Sequence, residues 1–432
     1  MDRHSGSVKW TLKARYGFIH NTVISNGKVL YCLDKLPPAL EKRLQRRGKQ
    51  PPLDYRMLAL DLETGRVLWE KNTGVFGSWL SYSAEHDRLL QATRPSRDMI
   101  IDEPGDRMAV YVASTGALVW DRRIKYNNPP ILFHDRIITD DAAYSLATGD
   151  RKLSDDPLTG EPMPWTYSRG YGCNYNIASE YLLSFRSAAA GFYDLFSEGG
   201  TGNLGGFKSG CTSNLIAAGG VLNAPDYTRT CQCSYQNQTS LAFIHMPELE
   251  YWTTNDFKWN RKRVRRIGLN LNAPGDRVAA DGTLWVDFPS VGGKSPDLPI
   301  TFDEGGTQKV RRHSLTLQPT GHEWVAASAL AGPIKLKIPL AGDATDAATY
   351  TVKLHFAELE DRKPGERVFD VRLQDQEVLK GFDIAREAGG ADQPVVKTFA
   401  KIPVKDTLTV ECSPVAAGAP PLLSGIEIIL ED

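Results

Sequence analysis

"YTVKLHFAELEDRKPGERVFDV", residues 350–371, decides how the second half of this chain is read. Tyr350, Val352, Leu354 and Phe356 alternate with Thr351, Lys353, His355 and Ala357, and a period of two places the two sets on opposite faces of one strand. A half-buried strand is predicted there. Pro364 and Gly365 interrupt it with a loop, after which Val368, Phe369, Asp370 and Val371 begin another strand. "LTVECSP" (residues 408–414) and "LSGIEIIL" (residues 423–430) supply two more, so the pattern predicts a β-sandwich over residues 265–432.

Upstream the chain repeats itself. "LALDLETGRVLW" (residues 58–69) is echoed by "VYVASTGALVW" (residues 110–120), and "SGSVKW" (residues 5–10) reads as the tail of a third copy. Gly6, Gly65 and Gly116 each precede Trp10, Trp69 and Trp120 by four residues. In the second copy Asp61 and Thr64 have side chains that bond turn backbone, and Gly65 supplies a positive φ, so an apolar strand reverses into one ending in Trp. A weaker copy, "AAYSLATGDRKL" (residues 142–153), keeps Thr-Gly and puts Leu153 at the Trp position. Strand-built repeats at this spacing predict a β-propeller. Residues 1–250 hold about four to five blade-equivalents of it. The expected fold class is therefore all-β, a partial or small propeller followed by a sandwich, with 251–264 as a basic linker containing Lys258, Arg261, Lys262 and Arg263.

Composition excludes several functions. The chain has 432 residues, enough for two domains, and its 51 Lys and Arg nearly cancel 52 Asp and Glu. No field gathers nucleic acid, so no nucleic-acid partner is expected. No apolar run approaches the roughly 20 residues that span a bilayer, and the start of the chain carries no apolar core of a secretory signal. No metal site, cofactor or catalytic residue is assigned. Asp140-Asp141, Asp155-Asp156 and Glu358 to Asp361 are carboxylate clusters, but nothing sets them across a sugar from one another. "GGTGNLGGF" (residues 199–207) lacks the Lys-Ser/Thr of a phosphate loop and reads as a loop over the propeller face.

Two thiols in "TCQCS", Cys231 and Cys233, share a face if that stretch is a strand, and Cys173 and Cys211 lie close enough in sequence to join them. Three readings stay open: a zinc site, two disulfides among the four, or reduced thiols in a β core. Disulfides are the expectation. Cys32 and Cys412 read as small core hydrophobes.

The Thr-Gly-x-x-x-Trp copies resemble the repeats of quinoprotein-like (PQQ-like) β-propellers, and residues 165–247 resemble the last propeller part of exported bacterial proteins of planctomycete type. The resemblance implies that Trp10, Trp69 and Trp120 dock one blade on the next. It also implies a periplasmic or extracellular location. The adjacent cysteine pair and calcium ligands of the family's dehydrogenases find no match here, so a PQQ-dependent oxidoreductase, or a polysaccharide-active enzyme with its catalytic blades elsewhere, is the alternative function. Asp281-Gly282-Thr283 with Trp285, the strand from Tyr350 to Glu358, Arg367 to Val371, and Gly425-Ile426-Glu427 closely resemble malectin-like carbohydrate-binding domains. That implies a non-enzymatic scaffold whose sandwich binds a carbohydrate of glucan type or a surface protein. Trp285, Asp287, Phe288, His355 and Asp370 are the carbohydrate-binding residues so implied.

Overall fold

The structure, a computed structural model, describes the chain except residues 1, 3, 96–102, 173, 206–214, 226–239, 245, 247, 291–295, 304, 416–417 and 432. Cys173, Cys211, Cys231 and Cys233 lie outside the described residues, so the disulfide expectation is not addressed there. Cys32 and Cys412 are free and buried, and burial pushes both thiols up to about 12. No helix among the described residues is long and apolar enough to cross a membrane.

The apolar runs of the repeat copies become inner strands of antiparallel meanders. The first sheet runs Ile24–Ser25, Val29–Asp34, Arg56–Asp61, Val67–Lys71, and the second Trp79–Ser83, Arg88–Ala92, Met108–Val112, Leu118–Arg122. A third sheet (Ile131–Phe133, Arg136–Ile138, Ala143–Ser145) continues through a bridge from Tyr144 to Arg151 into the hairpin Leu153–Asp155 and Pro162–Pro164. The fourth contains Ile177–Ala178, Leu182–Ser187, Ala189–Asp194, Thr201–Asn203 and Thr253–Thr254, and the fifth Ile216–Ala218, Val221–Ala224 and Leu241–Ile244. Residues 201–203 of the glycine-rich stretch are thus a strand, where a loop was expected. Gly202 is needed there because a Cβ would lie 2.3 Å from the Phe192 ring.

Each neighbouring pair of sheets encloses its own small core. Tyr31, Met57 and Ala59 meet Leu80, Leu89 and Tyr111 between the first and second, and Leu90 and Val110 meet Ile137 and Leu146 between the second and third. Trp165 and Phe185 fill the next gap, and Ala190 with Ala224 the last. Residues 57–60 are all buried because both faces of their sheet are covered, which explains an unbroken apolar run instead of an alternating one. The sheets stand side by side in an array, and no closed barrel or propeller forms among the described residues.

Indoles stitch this array. Trp10 Nε1 donates to Leu62 O at 2.9 Å, Trp69 Nε1 to Ala113 O at 3.0 Å, and Trp120 Nε1 to Leu146 O at 2.9 Å. Each ring lies on the turn glycine of the next repeat, where a Cβ would meet it at 2.5 Å on Gly65, 3.0 Å on Gly116 and 3.1 Å on Gly149. Those glycines have φ of 72°, 72° and 74°, so the turn and the indole seat both require glycine. Leu153, at the Trp position of the weak copy, is 60% exposed and docks nothing comparable.

Residues 264–430 form a sandwich. Its six-stranded sheet is ordered Arg277–Val278, Leu284–Phe288, Arg266–Leu271, Gly425–Leu430, Ala348–Phe356, Val395–Val404. Its five-stranded sheet is ordered Thr301–Phe302, Ile334–Pro339, Thr407–Pro414, Phe369–Leu373, Gln376–Phe382. The alternating Tyr350, Val352, Leu354 and Phe356 face one large core with Leu269, Ile426, Leu336, Val410 and Phe369. Leu158, from the third sheet's hairpin, enters this same core, and its carbonyl accepts from Arg265 N at 2.7 Å. In the stretch read as a linker, Thr253 pairs with Gly202 of the fourth sheet and bridges to Asp276 of the sandwich, while Arg263 pairs with Asp346 at 2.8 Å.

Candidate functional site on the outer face of the six-stranded sheet

The residues that alternate with the core set point away from it. Adjacent strands bring them into two rows: His355, Gly425, Asn270 and Asp287 in one, Lys353, Glu427, Gly268 and Trp285 in the other. Gly268 and Gly425 leave this face bare, and the Trp285 indole fills the space. A Cβ on Gly268 would sit 2.1 Å from Trp285 Cδ2, and one on Gly425 would sit 3.1 Å from Cζ3. Glycine inside a strand here marks close approach of a large ring.

A short helix, Glu323–Ala326, covers the indole. Trp324 meets Trp285 edge-on at 5.8 Å, His355 meets it edge-on at 5.1 Å, and His322 lies 5.9 Å from Trp285 and 5.8 Å from His355. Trp252 contacts Trp324 at 6.1 Å, tying the end of the sheet array into the same cluster. Three nitrogens of this cluster, Trp285 Nε1, His322 Nε2 and His355 Nε2, are buried and find no hydrogen-bond partner among the described residues. Burial first, then His322 and Lys353, push the His355 imidazole down to about 3, so it is neutral at physiological pH. Lys353 is held by Glu427 at 3.0 Å, and Glu427 also accepts from Thr283 Oγ1 at 3.3 Å.

The rim of the cluster reaches solvent. The Arg277 guanidinium lies 4.8 Å from the Trp324 ring and 5.5 Å from the Tyr251 ring, and Tyr251 is 47% exposed. Glu323 caps the turn before its helix, accepting from Thr320 N and Gly321 N, and Asp281 pairs with Arg266 at 3.5 Å. The carboxyls of Glu323 and Asp281 both sit below their ordinary range: burial, the largest influence on each, acts to raise them and is outweighed by backbone hydrogen bonds, with further lowering from Arg277 beside Glu323 and from Arg266 and His322 beside Asp281. Stacking rings, a planar cation and two carboxylates therefore converge on one rim, the combination that grips sugar C–H faces and hydroxyl pairs.

Of the five residues named from sequence, the fold brings three together. Trp285, Asp287 and His355 share the outer face, but all are buried, with Trp285 at 0% exposure, so none offers an open ring to a sugar. Phe288 turns to the opposite side and packs against Phe302 at 5.8 Å. Asp370 lies on the other sheet between the core residues Phe369 and Val371, facing outward and accepting from Gly381 N at 2.7 Å. The rim residues Tyr251, Arg277 and His322 carried no periodic signal of their own. The one sequence cue was Gly268 and Gly425, each within an otherwise apolar strand.

Glu358, in the same segment, is fully buried and structural. Arg367 Nε donates to Glu358 Oε2 at 2.7 Å and its fork also reaches Glu360 and the Pro420 carbonyl. Arg367 is itself 1% exposed, so the ions neutralise each other inside the loop end of the sandwich. A shallow groove of about 440 Å³ between Arg263, Asp346, Thr349 and Glu431 lies elsewhere on the sandwich.

Residues 338–418 match the malectin domain. The matched segment supplies strands to both sheets and includes His355, Glu358, Arg367 and Asp370, whereas Trp285 and the rim residues fall outside it. A probable LRR receptor-like serine/threonine-protein kinase from Arabidopsis thaliana is 45% identical over 56 residues, 12% of this chain and 6% of that protein. Among solved structures, the ANX2 ectodomain from Arabidopsis thaliana is similar at 17% identity and a TM-score of 0.31, covering 38% of this chain and 49% of that one. The ANXUR1 extracellular domain from the same plant gives 16% and 0.32, with 45% and 57% covered. The plant complex of peptide RALF23 with FER and LLG2 gives 18% and 0.29, with 39% and 40% covered. The chain thus spans about half the length of these solved chains and a small part of the curated relative.

Proposed function

We propose that this chain is a binding protein: an arc of propeller-type sheets, residues 1–250, joined through residues 251–264 to a malectin-like sandwich, residues 265–432, that binds carbohydrate outside the cell or in the periplasm. The observation that carries the reading is the rim of exposed Tyr251 and Asp281 with half-buried Arg277 and His322 above a buried aromatic floor, beside a segment that matches the malectin domain. In this reading Trp285, Asp287 and His355 act from beneath, fixing the rim, and Trp10, Trp69 and Trp120 are blade-docking residues. Their indole bonds to successive turns support that role.

The test is retention of the whole chain on an array of glucan and other oligosaccharides, followed by titration with the best ligand. Arg277→Ala and Tyr251→Ala are expected to weaken binding by roughly tenfold each, a loss of about 1.4 kcal/mol, with the melting temperature little changed. No retention on any glycan, or unchanged affinity in both variants, overturns the proposal.

A further inference from the structure

The array and the sandwich are joined edge to edge. Thr253–Thr254 is the last strand of the fourth sheet, and Arg277–Val278 is the edge strand of the six-stranded sheet. Thr253 N donates to Asp276 O at 3.0 Å and Asp276 N to Thr253 O at 2.8 Å, so backbone bonds cross from one sheet to the other. Asp276 is fully buried, and its carboxylate holds the contact. Its Oδ2 accepts from Asn255 N and Asn255 Nδ2, each at 3.1 Å, and its Oδ1 accepts from Asp287 N of the sandwich at 3.0 Å. Asn255 Nδ2 also reaches the Gly199 carbonyl of the array at 3.3 Å. The approach is close enough that a Cβ on Gly275 would lie 2.8 Å from Thr253 O and 3.0 Å from Trp252 Cβ.

This seam sets the rim. Arg277 follows Asp276 directly and stands opposite Trp285 in the neighbouring strand. An edge strand has one neighbour in its own sheet, so the other side of Arg277–Val278 is fixed by what the array supplies. Tyr251 is held from both regions as well. Its ring lies 6.3 Å from Phe192, in the fourth-sheet strand Ala189–Asp194, and 5.5 Å from the Arg277 guanidinium. On either side of Tyr251, Glu250 Oε1 accepts from Ser314 N at 2.8 Å and Trp252 meets Trp324 at 6.1 Å. The ring and the cation of the rim therefore take their places from opposite sides of one seam, and their separation is set by how the array docks on the sandwich.

We propose that the carbohydrate is bound across this seam, with Asn255 and Asp276 as positioning residues that hold Arg277 beside Tyr251. The array is then part of the binding site as well as its support. The inference rests on the reading of this rim as the carbohydrate site. A saccharide that touches Tyr251 and Arg277 together binds the docked seam better than a loosened one, because only docking brings the two groups within one ligand's reach. By linkage, the saccharide tightens the seam by the same factor that the seam tightens the saccharide.

The test uses the whole chain with a soluble glucan oligosaccharide as the probe. Asn255→Ala removes the side-chain bonds to Asp276 and Gly199 and leaves Tyr251 and Arg277 unaltered. It is expected to weaken glucan binding roughly fivefold, with little further effect in an Arg277→Ala chain, because it acts through Arg277. A residue that only supported stability would give the same loss in both backgrounds. A second measurement needs no variant: saturating glucan is expected to slow amide hydrogen exchange at Thr201–Asn203 and residues 253–255 as well as in Leu284–Phe288 of the sandwich. Unchanged affinity in Asn255→Ala, equal losses in both backgrounds, or slowing confined to the sandwich overturns this inference and leaves the carbohydrate reading standing. No binding of glucan by the unaltered chain rejects the inference together with the glucan reading.

Discussion

The sheet array and the sandwich bury their hydrophobic residues in different ways. The array divides its core into small compartments, each between two sheets adjacent in sequence, and an indole on a glycine turn closes the first two. The sandwich gathers one core from strands as far apart as Ile267 and Ile428. The first arrangement is modular: each compartment depends on its neighbours, and a lost contact should be felt locally. The second is all-or-none, because removing one buried group disturbs a core shared by every strand.

Three experiments bear on that contrast. Arg367→Met leaves Glu358 charged and unpaired at zero exposure, and a cost of about 3–5 kcal/mol is expected, read as a large fall in the denaturant midpoint of the sandwich. If the array's transition falls with it, the two regions are one cooperative unit and the contrast fails. Leu158 and Trp252, which cross between them, are the contacts that would couple them.

Trp120→Ala empties a seat between the second and third sheets and deletes the bond to Leu146, with an expected loss of about 3 kcal/mol. The modular reading expects that loss in the array's unfolding transition only, followed by tryptophan fluorescence and near-ultraviolet circular dichroism.

Acid provides the mildest test and acts on the sandwich. His355 titrates near 3 when folded and near its ordinary 6.5 when unfolded, so the unfolded chain binds the proton first as pH falls. Its contribution is complete above about pH 6.5 and declines down to about 3, at about 1.4 kcal/mol per pH unit. Stability of His355→Phe measured between pH 7 and 5 should lack this part of the slope. An unchanged slope would show that His355 takes up its proton over the same pH range folded as unfolded.

How much of this was readable in advance follows from the same contrast. The turn at Asp61 to Gly65 and the placing of Trp69 and Trp120 were legible because their determinants lie within a dozen residues: a carboxylate that bonds its own turn, a glycine with positive φ, and a ring four residues on. The strand from Tyr350 to Phe356 was equally plain from its alternation. Thr201–Asn203 was missed because glycines hide the period, their role being to admit the Phe192 ring from the next strand. Phe288 and Asp370 were grouped with Trp285 because sequence lists side chains without saying which of the four sheet faces each one meets.

What the sequence determined by itself was therefore local: the strands with a clear period, where the repeat copies reverse, and the four-residue step from turn glycine to indole. Only the tertiary structure decided that Trp285 lies buried over Gly268 and Gly425 under Trp324, and that half-buried Arg277 stands beside exposed Tyr251 at the rim. Those contacts join residues 17 to 140 positions apart. Their partners are selected by strand register and by the space two missing side chains leave, quantities that exist only once the sheets have packed.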